Sequence, residues 1–208
     1  HGGGYRLLGR DKQRAKISKV FSDISAVLRW TDRWTRQEKY IVQQGLRLQL
    51  VPARAVDMRL LIQKNGQGEW SITGHGFRVG GERSATSNLH GGGKAVPVPA
   101  FLKPKFGEER SAQIVRDCED LAHQTAETLE DHFGRMVEFG LDIGIDVDGR
   151  AWLIEVNPKP AREIFREMGA TEQYKRAIQR PLEYAIYLAK TQGREGREPL
   201  LKRKVASR

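Results

Sequence analysis

The sequence holds one cysteine, Cys118, in 208 residues. A lone thiol cannot form an internal disulfide. Its neighbours follow helical spacing, which points to a buried, inert thiol in a reducing compartment and so to a cytoplasmic protein. No apolar run approaches the ~18 residues needed to cross a membrane. No secretory signal pattern opens the sequence, although it starts at His1 rather than Met. There is no Ser/His/Asp or Cys/His pattern of the kind nucleophilic catalysis uses. A hydrophobic content of 38% can support a core in one large domain or two small ones.

Charge is abundant but unevenly spread. The net charge is +10, and residues 5–40 supply ten basic and four acidic side chains, a net of +6. Residues 193–208 supply six basic and two acidic, a net of +4, which leaves residues 41–192 neutral. The excess sits at the two ends. A basic groove interleaved with aromatics is not evident, so the distribution argues against nucleic acid as a partner. Lys202-Arg203-Lys204 reads as a solvated tail, with a weak contact to an anionic partner as the alternative. Composition beyond Gln192 is that of disorder.

Residues 1–10 are Gly-rich and read as a loop. Lys12–Trp34 has helical spacing, with Ile17, Phe21, Ile24, Val27 and Leu28 on one face. Tyr40–Gln43 reads as a short strand. Met58–Gln63 and Trp70–Thr73 read as strands joined around Asn65-Gly66, a hairpin signal. Residues 80–107 lack periodicity, and a loop that long is usually functional or mobile. Ser111–Phe133 is the clearest helix, with Ile114, Cys118, Leu121, Ala122, Leu129 and Phe133 as its stripe and Gly134 as its cap. Glu172–Lys190 is helical, with Pro181 expected to kink or restart it.

The densest signal runs from Phe139 to Asn157. Asp148-Gly149 marks a two-residue hairpin loop. With that loop Val147 pairs with Arg150, and Asp142 falls opposite Glu155. Glu155 and Asn157 share a face, since strand side chains alternate. The other face sets Leu141, Ile143 and Ile145 against Trp152, Ile154 and Val156. Gly140 and Gly144 open the polar face to close approach. Two opposed carboxylates repel. A hard cation with oxygen ligands removes that cost, Mg²⁺ bridging substrate phosphates being the usual case. A surface hairpin with scattered acids is the bland alternative. A calcium loop from Gly144 to Glu155 fails, because its first position is glycine and its flanks alternate like strands. Asp146 opposes Ala151, about 13 Å from Glu155 along the strand, too far to share one ion.

An Asp followed by Glu-x-Asn on the returning strand resembles the metal site of the ATP-grasp superfamily. Trp152-Leu-Ile-Glu-Val-Asn-Pro-Lys-Pro160, Tyr40-Ile-Val-Gln-Gln-Gly-Leu-Arg-Leu48 and Gln63-Lys-Asn-Gly-Gln-Gly-Glu-Trp70 are similar to the YheC/YheD-like, endospore coat-associated branch. The resemblance spans roughly residues 5–190. It implies an α/β (α+β) ATP-grasp fold, mostly its carboxy-terminal metal-bearing part, with an antiparallel sheet and flanking helices. The implied layout is a remnant of the amino-terminal lobe at 1–38, a nucleotide- and metal-binding domain at 39–192, and a basic tail at 193–208.

The resemblance further implies ATP with Mg²⁺ or Mn²⁺ as cofactors. Asp142, Glu155 and Asn157 would hold the metal. Gln43, Gln44, Gly45 and Leu46 would contact the nucleotide. Asp57-Met-Arg59 resembles the Asp-x-Arg of tubulin tyrosine ligase-like and ribosomal-protein glutamate ligase branches, where the Arg faces the reacting phosphoryl group. Arg78 stands where those branches place a second such Arg. Ser87-Asn-Leu-His-Gly-Gly-Gly93 matches their Ser-Asn-Leu-His-x-Gly-Gly loop, with Asn88 at the metal–phosphate end and His90 a turn residue in preference to a proton carrier. Lys159 would reach a phosphate or an acidic substrate. The implied activity is ligation of a carboxylate to an amine or thiol through an acyl phosphate, linked to the spore coat. The upstream lysine and glycine-rich loop of such enzymes are not in this sequence, and His1–Tyr5 resembles the segment just past that loop. A non-catalytic spore coat assembly module is therefore the alternative, and a basic nucleic-acid-associated protein a second rival.

Overall fold

Asn65 builds the central hairpin of the larger sheet. Its Oδ1 accepts the backbone N–H of Gln67 at 2.9 Å and of Glu69 at 3.0 Å, which turns β3 (Val56–Lys64) back into β4 (Trp70–Val79). The strand numbers allow for an earlier pair, β1 (Tyr5–Arg10) and β2 (Lys16–Phe21). A computed structural model of the chain describes residues 4–13, 15–36, 38–81 and 93–195. It divides into two compact units, His1–Gly45 and Leu46–Arg208.

The larger unit is built on a five-stranded antiparallel sheet. Its order is β5-β4-β3-β6-β7, with β5 at Lys94–Val96, β6 at Glu138–Ile145 and β7 at Ala151–Asn157. On one face Met58, Leu60, Ile62, Phe77, Leu141 and Ile143 are fully buried. They pack under α2 (Val98–Phe133) through Leu102, Ile114, Cys118, Ala122 and Ala126. On the other face a smaller cluster sets Leu61 against Ile164, Phe165 and Ala177. Those last three belong to α3 (Glu163–Glu167) and α4 (Thr171–Glu195). The second face is thus roofed near Leu61 by α3 and α4.

Polar groups tie that roof down. Buried Gln63 donates through Nε2 to Glu138 Oε2 at 2.7 Å and to the Ala177 carbonyl at 2.9 Å. Thr73 donates to Gln63 Oε1 at 2.6 Å. Arg162 closes the ring, with Nη2 on Glu138 Oε2 at 2.7 Å and Nε on the Ala177 carbonyl at 2.9 Å. A buried amide with every donor used fixes one docking of the helices.

The smaller unit pairs β1 with β2 and continues into α1 (Ile24–Thr35). Asp11 closes the hairpin by accepting the N–H groups of Gln13 at 3.0 Å and Ala15 at 2.8 Å. Asp23 caps α1 by accepting the Ala26 N–H at 2.8 Å. None of the described residues of this unit is buried.

Several sequence expectations change. Lys12–Trp34 is not one helix, and residues 5–10 are not loop. The Asp11 turn and the Asp23 cap outrank the helical spacing that Ile17 and Phe21 happen to share with α1. Tyr40–Gln43 forms no strand. The stretch 80–107 contains β5 and the start of α2, which runs to Gly107 before bending there at φ 75°. Pro97 ends β5 and leads into α2, which has a proline in its first turn. α4 passes through Pro181 without ending. Phe133, expected in the α2 stripe, is 65% exposed. Cys118 is buried and Gly134 caps α2 as expected, its N–H on the Glu130 carbonyl at 2.8 Å. Among the described residues no helix is long and apolar enough to cross a membrane.

Candidate functional site

Strand register carries four positions into one row across the sheet. Gly76 pairs with Arg59, Arg59 with Asp142, and Asp142 with Glu155. Arg78 pairs with Asp57 beside it, and Gly140 with Asn157 on the other side. All lie on the face opposite the α2 core.

Side chains there form one ionic network. Arg59 Nε lies 2.7 Å from Asp142 Oδ1. Arg78 donates through Nε to Asp57 Oδ1 at 2.7 Å, and its Nη2 lies 2.8 Å from Asp142 Oδ2. Two arginines therefore share one central carboxylate while Asp57 anchors the second arginine. Arg59, Arg78 and Asp142 are all buried. Burial works against the charged guanidinium of Arg78, but hydrogen bonds and charge from Asp57 and Asp142 outweigh it and raise its pKa above the usual value. Asp57 and Arg59 share a face, as the alternation requires, yet Asp57 pairs with Arg78.

Glycines let this network lie flat on the sheet. A Cβ on Gly140 would meet Pro160 Cβ at 2.6 Å and Arg59 Nη1 at 3.1 Å. A Cβ on Gly144 would meet both Leu48 methyls at 2.9 Å and Ile154 Cδ1 at 3.3 Å. The close approach expected at both glycines is real, and it comes from this chain's own side chains. An apolar patch of Leu48 and Ile154 thus adjoins the ionic network.

The hairpin reaches the expected pairing by a different route. Asp148-Gly149 is not a two-residue loop, and Val147 does not pair with Arg150. Asp146 N–H bonds the Arg150 carbonyl at 3.0 Å, Gly149 takes φ 76°, and Val147–Gly149 form the loop. That is the three-residue turn with a left-handed glycine. Ile145 then pairs with Ala151 and Ile143 with Leu153, one residue off the expected register. A bulge at Ile154 restores it, so Asp142 still faces Glu155. The offset moves Trp152 off the core face. It pairs with Gly144, and its Nε1–H donates to Asp146 Oδ2 at 3.0 Å. It also puts Ile154 beside Gly144, which alternation alone would not do.

Asp146 is occupied with this turn. Its Oδ1 accepts the N–H groups of Asp148 and Arg150 at 2.9 Å each. Desolvation opposes its charge, but these bonds and the Trp152 N–H prevail and lower its pKa.

The remaining expected residues are more scattered. Glu155 and Lys159 are exposed, and Asn157 is half-buried at the end of β7. Gln43, Gln44 and Gly45 are exposed and Leu46 half-buried, all outside helix and strand. Asn88 and His90, with most of the Ser87–Gly93 loop, lie outside the described residues. Among the described residues no cluster of three or more His, Cys, Asp or Glu could hold a metal ion. The expected set is of another kind, two carboxylates and an amide. One observation fits a cation beside it. Asp142 Oδ1 and Arg59 Nε are buried and close, yet neither makes a well-angled hydrogen bond. Both Asp142 oxygens are ion-paired to arginines, so a hard ion would take the Oδ1 side by displacing the poorly angled Arg59 contact.

The endospore coat-associated protein YheC of Bacillus subtilis (strain 168) is 28% identical over 189 residues, covering 91% of this chain and 50% of that protein. The endospore coat-associated protein YheD of the same organism is 26% identical over 188 residues, covering 90% and 41% respectively. The chain thus spans about half the length of the curated relatives it matches. The model of the YheC/D-like ATP-grasp family matches residues 1–188, nearly the whole chain, and the chain belongs to that family.

Proposed function

We propose that this chain binds Mg-ATP and takes part in ATP-dependent ligation of a carboxylate to an amine or thiol. The observation that carries the reading is the Asp57–Arg78–Asp142–Arg59 network, its last three members buried, laid beside Glu155 on one sheet face. Mg²⁺ or Mn²⁺ would be held by Asp142, Glu155 and Asn157, and when bound would draw charge from the phosphate oxygens. Arg59 and Arg78 supply planar donor forks for a phosphoryl group in transfer to the substrate carboxylate. Asp57 holds Arg78 by Nε, which leaves its Nη atoms to exchange Asp142 for phosphate. Leu48 and Ile154 offer an apolar surface for the base. Gln43, Gln44, Gly45 and Leu46 supply polar and backbone contacts to the nucleotide, and Asn88 contributes at the phosphate end. Lys159, exposed just past β7, meets an anionic substrate. Spore coat association is proposed from the names of the two relatives alone.

Glu155→Gln separates this reading from a purely structural one. Glu155 is exposed and forms no ion pair among the described residues, so the change should leave the melting temperature within about a degree. Calorimetric titration of Mg-ATP should show roughly tenfold or greater loss of affinity, while metal-free ATP is unaffected. Unchanged Mg-ATP affinity would overturn the assignment.

A further inference from the structure

The amino-terminal unit holds a cleft of about 500 Å³ between the β1–β2 turn and the end of α1. Trp30, Trp34 and Tyr40 line it together with Lys12, Arg33 and Arg36. The rings form a continuous ladder. Phe21 and Trp30 centroids are 6.1 Å apart, Trp30 and Trp34 5.8 Å, and Trp34 and Tyr40 5.7 Å. Trp30 and Trp34 are four residues apart on one helix face and stack at 17°. Lys19 Nζ lies 5.7 Å over Trp30. None of these rings is buried, and Tyr40 is 52% exposed. A core would have closed over them.

The acids in the cleft are already spent. Asp11 accepts two N–H groups of its own turn. Glu38 is taken by Lys12, and the nearby charge of Arg36 and the Tyr40 hydroxyl add to what holds its carboxyl below the usual range. Arg33 and Arg36 form no ion pair among the described residues, and both are exposed. Exposed guanidinium groups beside half-open aromatic faces are the two halves of a site for a planar ring joined to a phosphate.

We propose that this cleft binds single-stranded nucleic acid, with a base on the Trp34 and Tyr40 rings and its phosphate on Arg33 and Arg36. A free nucleotide offers the same chemistry. The net charge of +6 over residues 5–40 exceeds what one phosphate calls for and favours a strand. The proposal stands apart from the ligase reading, which uses other residues.

The test titrates a fluorescein-labelled oligothymidylate of about twelve nucleotides into the full chain at roughly 50 mM salt. Anisotropy and tryptophan fluorescence are read together, and thymidine monophosphate is the second probe. Saturable binding with tryptophan quenching is expected, weakening as salt rises. Arg33→Glu with Arg36→Glu should lower affinity at least about tenfold. Trp34→Leu should lower it roughly five- to a hundredfold. Both arginines are exposed, so their reversal decides the matter if Trp34→Leu fails to fold. Quenching should persist when Lys202, Arg203 and Lys204 are all changed to Gln. Equal binding of the mononucleotide would overturn the strand as occupant. Absence of quenching, indifference to Arg33 and Arg36, or loss of all binding with the Lys202–Lys204 change would overturn the site.

Discussion

Arginine does opposite work in the two units. In the sheet, Arg59 and Arg78 are buried and matched by Asp57 and Asp142 before any ligand arrives. In the smaller unit, Arg33 and Arg36 are exposed beside open aromatic rings. Desolvation explains the contrast. A guanidinium removed from water must be paired, so a ligand can reach Arg59 or Arg78 only by exchange with a carboxylate. An exposed guanidinium stays solvated, and its ligand merely displaces counterions. Salt should therefore weaken binding at the smaller unit far more than at the sheet.

Removing one arginine from each unit should give the largest contrast. Arg78→Ala takes from buried Asp142 one of its two arginines and from Asp57 the guanidinium at 2.7 Å. It should destabilise the larger unit by about 3–5 kcal/mol, the range for breaking a buried pair. Arg33→Ala, on an exposed helix face, should stay within ~0.5 kcal/mol. Urea unfolding of both variants checks this. Equal midpoints would mean that the network in the sheet is solvated and the contrast false.

Glycine sharpens the comparison within the sheet. Gly140→Ala sets a methyl group against Pro160 Cβ and Arg59 Nη1, with no flexible neighbour to yield at Pro160. Strain of this kind costs about 1–3 kcal/mol. It should also push Arg59 off Asp142, so Mg-ATP affinity should fall with the melting temperature. In the smaller unit Gly9→Ala meets nothing within 4 Å and should change neither. A Gly140→Ala variant with unchanged nucleotide affinity would remove Arg59 from the site.

The sequence announced the larger unit better than the smaller one. Asn65-Gly66 and the α2 stripe up to Leu129 are written in local patterns, a turn residue or a period, and each is found in the fold; the Asp142–Glu155 pairing is found too, but only because a bulge offsets the misread turn. The bulge at Ile154 is not local, because it depends on how β7 must re-register after a three-residue turn. It could not be foreseen, and the three-residue turn before it had already changed the faces of Trp152 and Ile154. Leu48 was invisible for a similar reason, since only the emptiness of Gly144 hints that something packs there. Asp142 as the meeting point of two arginines needs three strands in register, which pairwise reading does not give. In the smaller unit, helical spacing misled because two short strands happened to share it. The aromatic ladder was likewise missed, since Trp34 meets Tyr40 only after the chain turns at Arg36, φ 51°.

The smallest effect concerns Cys118, whose only visible role is to fill the core beneath the sheet. Burial, aided by the charges of Asp117 and Glu119, pushes its thiol up to about 12 from an ordinary 9.0. The folded thiol keeps its proton where the unfolded one loses it. The unfolded state then binds fewer protons, so stability is fully present below pH 9 and falls as pH rises from there toward 12. The limiting slope is about 1.4 kcal/mol per pH unit. Cys118→Ala should lose this slope while keeping the alkaline response of every other group, so the difference between the two urea midpoints should be flat below pH 9 and should narrow above it. The same thiol should resist alkylation at pH 8 until the larger unit opens. The smaller unit has no cysteine and no buried residue among those described, so the thiol reports on the larger unit alone. Parallel pH profiles for the two proteins, or fast labelling of the folded chain, would show that the helix over the sheet is loose and that the larger unit is as open as the smaller one.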